Sequence, residues 1–146
     1  MIEQLTAQLK REEGEVKKHG RHVAYEDHLG YLTIGIGRLI DRRRGGGLSD
    51  EEAEHLLSND IETVQFALQT RLPWFGTLSS ARKAALINMA FQLGVSGLMT
   101  FKKSLTHMEA GNYAWAAKEF LNSRWAKQTP ARAKRVTRQI ETGDWQ

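Results

Sequence analysis

The chain has 146 residues, enough for one domain that buries a core of its own. Its composition, 40% hydrophobic and 26% charged residues, is typical of a soluble globular protein, and no apolar run reaches the roughly 18 residues that predict a membrane helix. The chain contains no cysteine, which excludes disulfide bonds and thiolate metal sites and suits synthesis in a reducing cytoplasm. The amino terminus alternates acidic and basic residues, so we expect no typical secretory signal there.

The net charge of +4 is unevenly distributed. Residues 1–60 hold nine Lys and Arg against twelve Asp and Glu, whereas residues 61–146 hold twelve against five. A basic carboxy-terminal half predicts an anionic partner. Nucleic acid is one such polymer.

The first predicted element is an amphipathic helix that ends at Gly14, because its apolar residues recur at helical spacing and glycine is a common stop signal. A polar, glycine-containing loop follows. The pattern changes at Tyr25: Gly30 turns the chain, and residues 31–37 are rich in the aromatic and β-branched residues of a short β-hairpin. We therefore predict a small β-hairpin lobe near residues 23–40.

Two carboxylates flank this segment, Glu13 at the predicted helix end and Asp27 in the strand-turn, and the hydroxyl of Thr33 follows. Glycoside cleavage needs one protonated carboxyl that donates to the leaving oxygen and a second that stays ionised. Asp27, beside a turn, is expected to be solvated and ionised, and Glu13, in a less solvated site, is the better acid. Each residue alone is typical of a solvated surface, so the pair gains weight only from the order of elements around it.

A long helix is predicted over residues 49–71, opened by a capping box of Ser49 and Glu52. The Arg- and Gly-rich run before it, residues 42–47, indicates a flexible loop with solvated charge, and its spacing makes a phosphate cradle the weaker alternative. Asp60 falls on the apolar stripe of the helix. It is therefore expected either to find a cationic partner or to reach water at the helix edge.

Pro73 ends that helix, and Ser79 with Ser80 caps a strongly apolar segment that we predict to be the central buried helix. Asn88 and Gln92 interrupt it, and buried amides need partners.

The chain beyond this helix is expected to be helical as well. Gly94 and Gly97 predict a break, residues 100–105 start a short helix, and Gly111 with Asn112 turns and caps the next one. Thr129 and Pro130 supply an N-cap and a first helical residue for a basic last helix that Gly143 closes.

Three stretches carry a resemblance. The first is Glu13-Gly14 followed by the pattern Tyr-x-Asp-x-x-Gly-Tyr-x-Thr-Ile-Gly-Ile-Gly at residues 25–37. The other two are long and specific: Asn-Met-Ala-Phe-Gln-Leu-Gly at 88–94 and Ser-Arg-Trp-Ala-Lys-Gln-Thr-Pro-Ala-Arg-Ala-Lys-Arg-Val at 123–136. The sequence resembles the phage-type lysozymes, the endolysins and muramidases of the T-even phage kind, over nearly its whole length. The resemblance implies a mostly α, α+β fold with two lobes, a small β-hairpin lobe and a larger helical lobe joined by a long helix.

On this resemblance the chain is a single lysozyme-like catalytic domain, 1–146. The small lobe covers about residues 15–60, residues 1–14 and 61–146 form the helical lobe, and the groove lies between them. Carried over by position, Glu13 is the general acid, Asp27 the partner that handles the attacking water, and Thr33 the hydroxyl that helps to hold it. The implied substrate-binding and supporting residues are Phe91, Gln92, Ser104, Arg132 (pairing with Glu13), and Arg38 (pairing with Asp60). Core packing is the alternative for Phe91.

The sequence departs from the resemblance in the run from Glu15 to Val23, which is several residues longer than the family usually has. Either this loop bulges outward or it alters the entrance of the groove. If it disturbs the first helix, Glu12 or Glu15 takes the acid role instead of Glu13. His19, His22 and His28 suggest zinc ligands only weakly, because no carboxylate or outer shell accompanies them, so we expect no metal and no cofactor.

The expected activity is hydrolysis of the β-1,4 bond between N-acetylmuramic acid and N-acetylglucosamine in bacterial peptidoglycan by a monomeric, bacteriolytic and antimicrobial endolysin of phage host-cell lysis. It is expected in the host cytoplasm on synthesis and at the cell wall after release by a membrane-permeabilising partner. The basic charge of the last helix predicts an anionic outer membrane as a further partner. Nucleic acid is not expected as a partner. The alternatives are a non-catalytic basic module that binds peptidoglycan or nucleic acid, and a lytic transglycosylase, against which Asp27 argues. The carboxyl separation, not the sequence, decides the stereochemical outcome.

Overall fold

The computed structural model describes residues 1–146 and is mostly helical, with two small antiparallel sheets, so the predicted α+β class is confirmed. The helices are α1 (Ile2–Glu13), α2 (Asp50–Arg71), α3 (Ser80–Leu93), α4 (Val95–Met99), α5 (Lys102–Glu109), α6 (Tyr113–Leu121), α7 (Arg124–Gln128) and α8 (Pro130–Thr142), with a 3-10 turn at Phe75–Thr77. The strands are β1 (Lys17–Lys18), β2 (Arg21–His22), β3 (Tyr25–Glu26), β4 (Leu32–Ile34) and β5 (Arg38–Leu39). None of the helices has the combination of length and apolar character that crossing a membrane requires.

The chain divides into two compact units, Met1–His55 and Leu56–Gln146, and the division falls inside the long helix α2. The first unit holds α1 and all five strands. The resemblance assigns residues 1–14 to the helical lobe and about residues 15–60 to the small lobe, and this division stays a prediction.

The larger sheet of the first unit has the order β3-β4-β5, with both pairs antiparallel. Its central strand β4 places Thr33 opposite Tyr25 on one side and opposite Leu39 on the other. Thr33 is buried, with 4% of its surface exposed. The β-hairpin predicted after Tyr25 is thus present and gains a third strand, because the chain returns after Gly37 to pair with β4.

The lengthened run after Glu15 is a second hairpin, β1-β2, and not the loop that its polar composition predicts. Its turn residues, His19 and Gly20, both have positive φ angles of 51° and 75°, the backbone shape that joins two adjacent strands through a two-residue turn. The sequence signal for strands was weak because every residue of β1 and β2 is charged or polar and exposed.

The capping box at the start of α2 is confirmed: Glu52 N–H donates to Ser49 Oγ at 3.2 Å and Ser49 N–H to Glu52 Oε1 at 3.1 Å. Glu52 also accepts from the Arg38 guanidinium. The pKa of Glu52 is lowered, mainly by the Ser49 backbone N–H and then by the Ser49 hydroxyl and Arg38. Asp60 is exposed, so the burial cost that the apolar stripe predicts for it does not arise, and its pairing with Arg38 stays a prediction.

The second unit is built around a helical core, in which α6 packs against α5 and α8 and α3 packs against α4 and α8. The aromatic ring of Phe101 anchors it, 5.4 Å from the ring of Phe120 and 6.2 Å, edge on, from that of Trp125. Only one face of α3 is buried, where its apolar composition predicts burial nearly all round. The buried residues of α3 are Ala81, Ala85, Leu86, Met89 and Ala90.

Two short helices, α4 and α7, lie where the sequence predicts a break or no element. Gly94 does end α3, with a φ of 77°, but α4 then continues through Gly97. Pro130 begins α8 as predicted and Gly143 closes it in the left-handed conformation. Thr129 does not cap α8 with its side chain, and its hydroxyl donates to the Trp125 carbonyl at 3.0 Å.

Candidate active site

The first unit contains a cavity of about 480 Å³ that Glu13, Asp27 and Thr33 all line. The three residues come from three elements: the last residue of α1, the turn after β3 and the centre of β4. The order of elements that suggested the pair in the sequence therefore brings both carboxylates and the hydroxyl to one open cavity. Their chemical roles stay a proposal.

The carboxylate of Asp27 is fixed by the turn that it starts. Its Oδ1 atom accepts hydrogen bonds from the backbone N–H groups of Leu29 and Tyr31, both at 2.9 Å, and Gly30, with a φ of 81°, completes the turn. The Tyr31 N–H is the largest cause of a lowered pKa of Asp27, and burial partly opposes it. The Leu29 N–H and the charges of His28 and Arg43 lower this pKa further. Asp27 is therefore ionised at neutral pH, as its place beside a turn predicts.

Thr33 and Asp27 are positioned by the same peptide backbone. The Thr33 hydroxyl donates to the Tyr31 carbonyl at 2.9 Å, while the Tyr31 N–H donates to Asp27. Because the hydroxyl proton is engaged, Thr33 Oγ1 presents its lone pairs as a hydrogen-bond acceptor. Tyr31 thus fixes the two polar groups relative to each other through its main chain, which no side-chain pattern in the sequence reveals.

Glu13 ends α1, and the Gly14 N–H closes the helix on the Lys10 carbonyl at 3.2 Å. The carboxylate lies against the backbone of Gly37, since a Cβ atom added there would stand 2.9 Å from Glu13 Oε2. Glu13 is exposed, whereas the sequence reasoning expects a less solvated site. The difference arises because α1 buries none of its side chains, so nothing on the helix shields its last residue.

Two neighbouring carboxylates were alternatives for the acid. Glu15 is 3.3 Å from Lys17 Nζ and 3.7 Å from His22 Nε2, so it belongs to the β1-β2 hairpin and does not line the cavity. Glu12 does line the cavity, and its Oε1 atom is 3.5 Å from Arg11 Nε. Of these two alternatives, Glu12 alone shares the cavity with Glu13.

Gly37→Ala is expected to reduce activity by roughly tenfold, because the new methyl group would displace the Glu13 carboxylate, and effective acid catalysis depends on its position. Gly37 also has a φ of 74°, so an alanine there adds strain of about 1 kcal/mol. The measurement is cell-wall clearing alongside thermal unfolding. Gly35→Ala is the matched control: Gly35 has a similar φ of 67° and open space where a Cβ would lie, so it should show the strain without the loss of activity.

Six residues that line the cavity are not among the predicted site residues: Tyr25, Glu26, His28, Tyr31, Gly37 and Leu39. The motif at residues 25–37 predicts a catalytic role for its carboxylate. Its two tyrosines beside that carboxylate could also have predicted contacts to a sugar. Arg43 was read as a solvated loop charge, but its guanidinium lies over the Tyr31 ring at 3.6 Å and its Nη2 atom is 3.2 Å from Asp41. This loop is therefore tied to the wall of the cavity.

The predicted sugar-binding residues Phe91 and Gln92 lie at the end of α3, in the second unit. Phe91 is 45% exposed, which removes core packing as its role. Gln92 is exposed as well, and its Oε1 accepts a hydrogen bond from Trp125 Nε1 at 2.9 Å. The amide of Gln92 is thereby oriented, with its NH₂ group left as a donor.

Arg132 is held by Asn88 of the same unit: Nε donates to Asn88 Oδ1 at 2.9 Å and Nη2 to the Asn88 carbonyl at 3.1 Å. The predicted pairing of Arg132 with Glu13 stays a prediction. Ser104 is buried and lines a separate cavity of about 340 Å³ that includes neither Phe91 nor Gln92. The structure of this unit thus groups Phe91 with Gln92 on α3 and places Ser104 elsewhere.

Comparison with known proteins gives a family and several relatives. Residues 12–141 match the family described as Phage lysozyme. Probable T4-type lysozyme 1 of Dictyostelium discoideum is 37% identical, over 98% of this chain and 96% of that protein. The pre-baseplate central spike protein Gp5 of Enterobacteria phage T4 is 34% identical over 93% of this chain, which spans 27% of that protein. The endolysin of Acyrthosiphon pisum secondary endosymbiont phage 1 is 29% identical over 71% of this chain and 68% of its own.

The matched span contains every residue that lines the cavity of the first unit, and it extends through the helical second unit into α8. The resemblance noted in the sequence is therefore confirmed. The chain belongs to the phage lysozyme family and has a lysozyme-like function of the glycoside hydrolase type.

Proposed function

We propose that this protein is an endolysin that hydrolyses the β-1,4 bond between N-acetylmuramic acid and N-acetylglucosamine in peptidoglycan. The observation that carries the proposal is the shared cavity of Glu13, Asp27 and Thr33, in which the two carboxylates have different surroundings. Asp27 is bound by two backbone N–H groups that favour its charge, whereas Glu13 is exposed at the end of α1. Glycoside hydrolysis uses such a divided pair, one carboxyl as acid and one as carboxylate.

Glu13 donates the proton to the glycosidic oxygen as the bond breaks. In the free protein its side chain is exposed, so a bound glycan has to displace water from it. The protonated carboxyl is the form that donates. The contact with Gly37 holds the carboxyl against the wall of the cavity during this step.

Asp27 and Thr33 handle the attacking water. Oδ1 of Asp27 is occupied by two N–H groups, and within its unit Oδ2 accepts no hydrogen bond, so Oδ2 is available to take a proton from water. Thr33 Oγ1, with its own proton engaged at Tyr31, accepts a hydrogen bond from the second O–H of that water, whose proton stays on the oxygen and becomes part of the new anomeric hydroxyl. The water then directs its lone pair at the anomeric carbon, a route that inverts the configuration.

The second unit supplies the proposed contacts to the sugar chain. The exposed ring of Phe91 offers a flat apolar face, and Gln92, oriented by Trp125, offers its NH₂ group. Arg132, oriented by Asn88, supplies positive charge that complements an anionic substrate or the ionised acid. Ser104, which lines another cavity, is proposed only as a more remote substrate contact.

The biological role that fits this activity is lysis of a bacterial host, with synthesis in its cytoplasm and action on the wall after release through a separate membrane-permeabilising partner. An anionic outer membrane remains a further proposed partner of α8, whose basic residues include Lys134, Arg135 and Arg138. A monomer suffices for this chemistry, because one chain supplies all three groups.

The test is digestion of purified peptidoglycan, followed by mass spectrometry of the fragments. Reducing N-acetylmuramic acid ends are the expected product. Anhydro-muramic ends would show a lytic transglycosylase, and retention on the wall without cleavage would show a binding module. DNA retention that weakens steeply with salt would indicate a nucleic-acid binder. The configuration of the first-formed anomer, read by NMR, tests the water route.

A further inference from the structure

The β1-β2 hairpin presents two pairs of side chains on opposite faces. Lys17 pairs across the ladder with His22, and Lys18 pairs with Arg21. Because cross-strand partners share a face and successive residues alternate, Lys17 and His22 lie on one face and Lys18 and Arg21 on the other. All four residues are exposed.

One of these faces already has its counterion. Glu15 approaches Lys17 at 3.3 Å through Oε1 and His22 at 3.7 Å through Oε2, so a single carboxylate bridges the pair. Because Glu15 already balances their charge, Lys17 and His22 should attract an external anion only weakly.

The face with Lys18 and Arg21 has no such counterion. No carboxylate of the first unit forms an ion pair with Lys18 or Arg21. Two like charges directly opposite each other on a two-stranded ladder destabilise the hairpin, and a two-residue turn holds them in this register. An anion that binds between them would remove the repulsion, so the face is prepared for an anionic ligand.

The hairpin is joined to the cavity at both ends. It follows Glu13 and precedes Tyr25, and four residues of chain from Arg21 to Tyr25 span at most about 14 Å. A stem peptide of four residues has the same reach, about 14 Å. The carboxylates of a peptide attached to the muramic acid in the cavity therefore fall within reach of Lys18 and Arg21.

We propose that Lys18 and Arg21 form a binding site for the stem-peptide carboxylates of peptidoglycan, so that the hairpin selects walls whose peptides carry free acidic groups. This inference rests on the proposed function, since it takes peptidoglycan as the substrate. Carboxylates are preferred over wall phosphates because the peptide is part of the molecule that the cavity holds, whereas a phosphate polymer would have to reach the hairpin independently.

The test measures binding in a Glu13→Gln background, where the wall is not consumed. Lys18→Gln with Arg21→Gln is expected to weaken binding to peptidoglycan with free carboxyls about fivefold at low salt, as two exposed ion pairs allow. Amidating the carboxyls chemically should reduce binding of the unaltered hairpin to the level of this variant. Lys18→Gln alone should bind more weakly than its matched control, Lys17→Gln, which makes the same charge change on the opposite face.

Three results would overturn the proposal: equal binding by all variants, an equal loss from Lys17→Gln and Lys18→Gln, or a loss that persists on amidated walls. If extraction of the wall phosphate polymers removes the effect and amidation does not, the ligand is phosphate and the carboxylate site is rejected. Because binding is measured without hydrolysis, failure of the muramidase assay in the parent protein would not be confused with failure of the hairpin. Circular dichroism confirms that each variant is folded.

Discussion

Replacing Glu13 with Gln is expected to lower kcat on peptidoglycan by about a thousandfold, within the range that a positioned general acid contributes. Glutamine keeps the size of the side chain and so preserves its approach to Gly37 and the end of α1. It has no acidic proton to give to the leaving oxygen. KM should change little, because only the proton transfer is lost.

Glu12→Gln is the matched control for this change. Glu12 is the preceding residue of the same helix, lines the same cavity and is also exposed, so the substitution removes the same charge from the same surface. Activity near that of the parent protein is expected. A large loss for Glu12→Gln combined with retained activity for Glu13→Gln would transfer the acid role to Glu12 and leave the family assignment intact.

Local signals in the sequence predicted the elements that local interactions determine. Ser49 and Glu52 form the capping box because the two partners are three residues apart and need nothing else. Gly143 closes α8 for a similar reason, since its left-handed conformation favours glycine. Asp27 behaves in the same way: both donors to its carboxylate lie within four residues of it, so a turn motif was enough to predict an ionised side chain.

Properties that depend on neighbours distant in the sequence were predicted less well. The exposure of Glu13 and Phe91 depends on what packs over each helix, and apolar periodicity reports only which residues could be buried. The β1-β2 hairpin was missed for another reason. Its strands have no apolar alternation, and only the turn at His19 and Gly20 marks it.

The cavity itself was only partly predictable. Its side-chain chemistry was visible in Glu13, Asp27 and Thr33, whereas the groups that position them are backbone atoms. The backbone N–H of Tyr31 binds Asp27 and the Tyr31 carbonyl binds Thr33. Gly37 makes room for Glu13 because it has no Cβ. A sequence pattern can mark such positions as constrained but cannot say which atoms they serve.

Asp27→Asn is expected to reduce kcat by at least about a hundredfold while leaving the turn in place. The amide oxygen of asparagine can still accept from the N–H groups of Leu29 and Tyr31, so the geometry around Thr33 is retained. The variant lacks the negative charge that takes a proton from water and stabilises the positively charged sugar. Glu26→Gln is the control, because Glu26 lines the same cavity and is exposed. A fully active Asp27→Asn protein would remove Asp27 from the mechanism.

The acid dependence of stability gives this variant a second readout. Because the pKa of Asp27 is lowered in the folded protein, its carboxylate stabilises the fold above its ordinary pKa of 3.8, and this contribution is lost as the pH falls through the lowered value. Asparagine does not titrate. The parent protein should therefore unfold at a higher temperature than Asp27→Asn near neutral pH, and the difference should shrink below pH 3.8. A difference that stays constant with pH would mean that the two N–H groups do not stabilise the charge, and Asp27 would then have no structural feature that keeps it ionised for handling water.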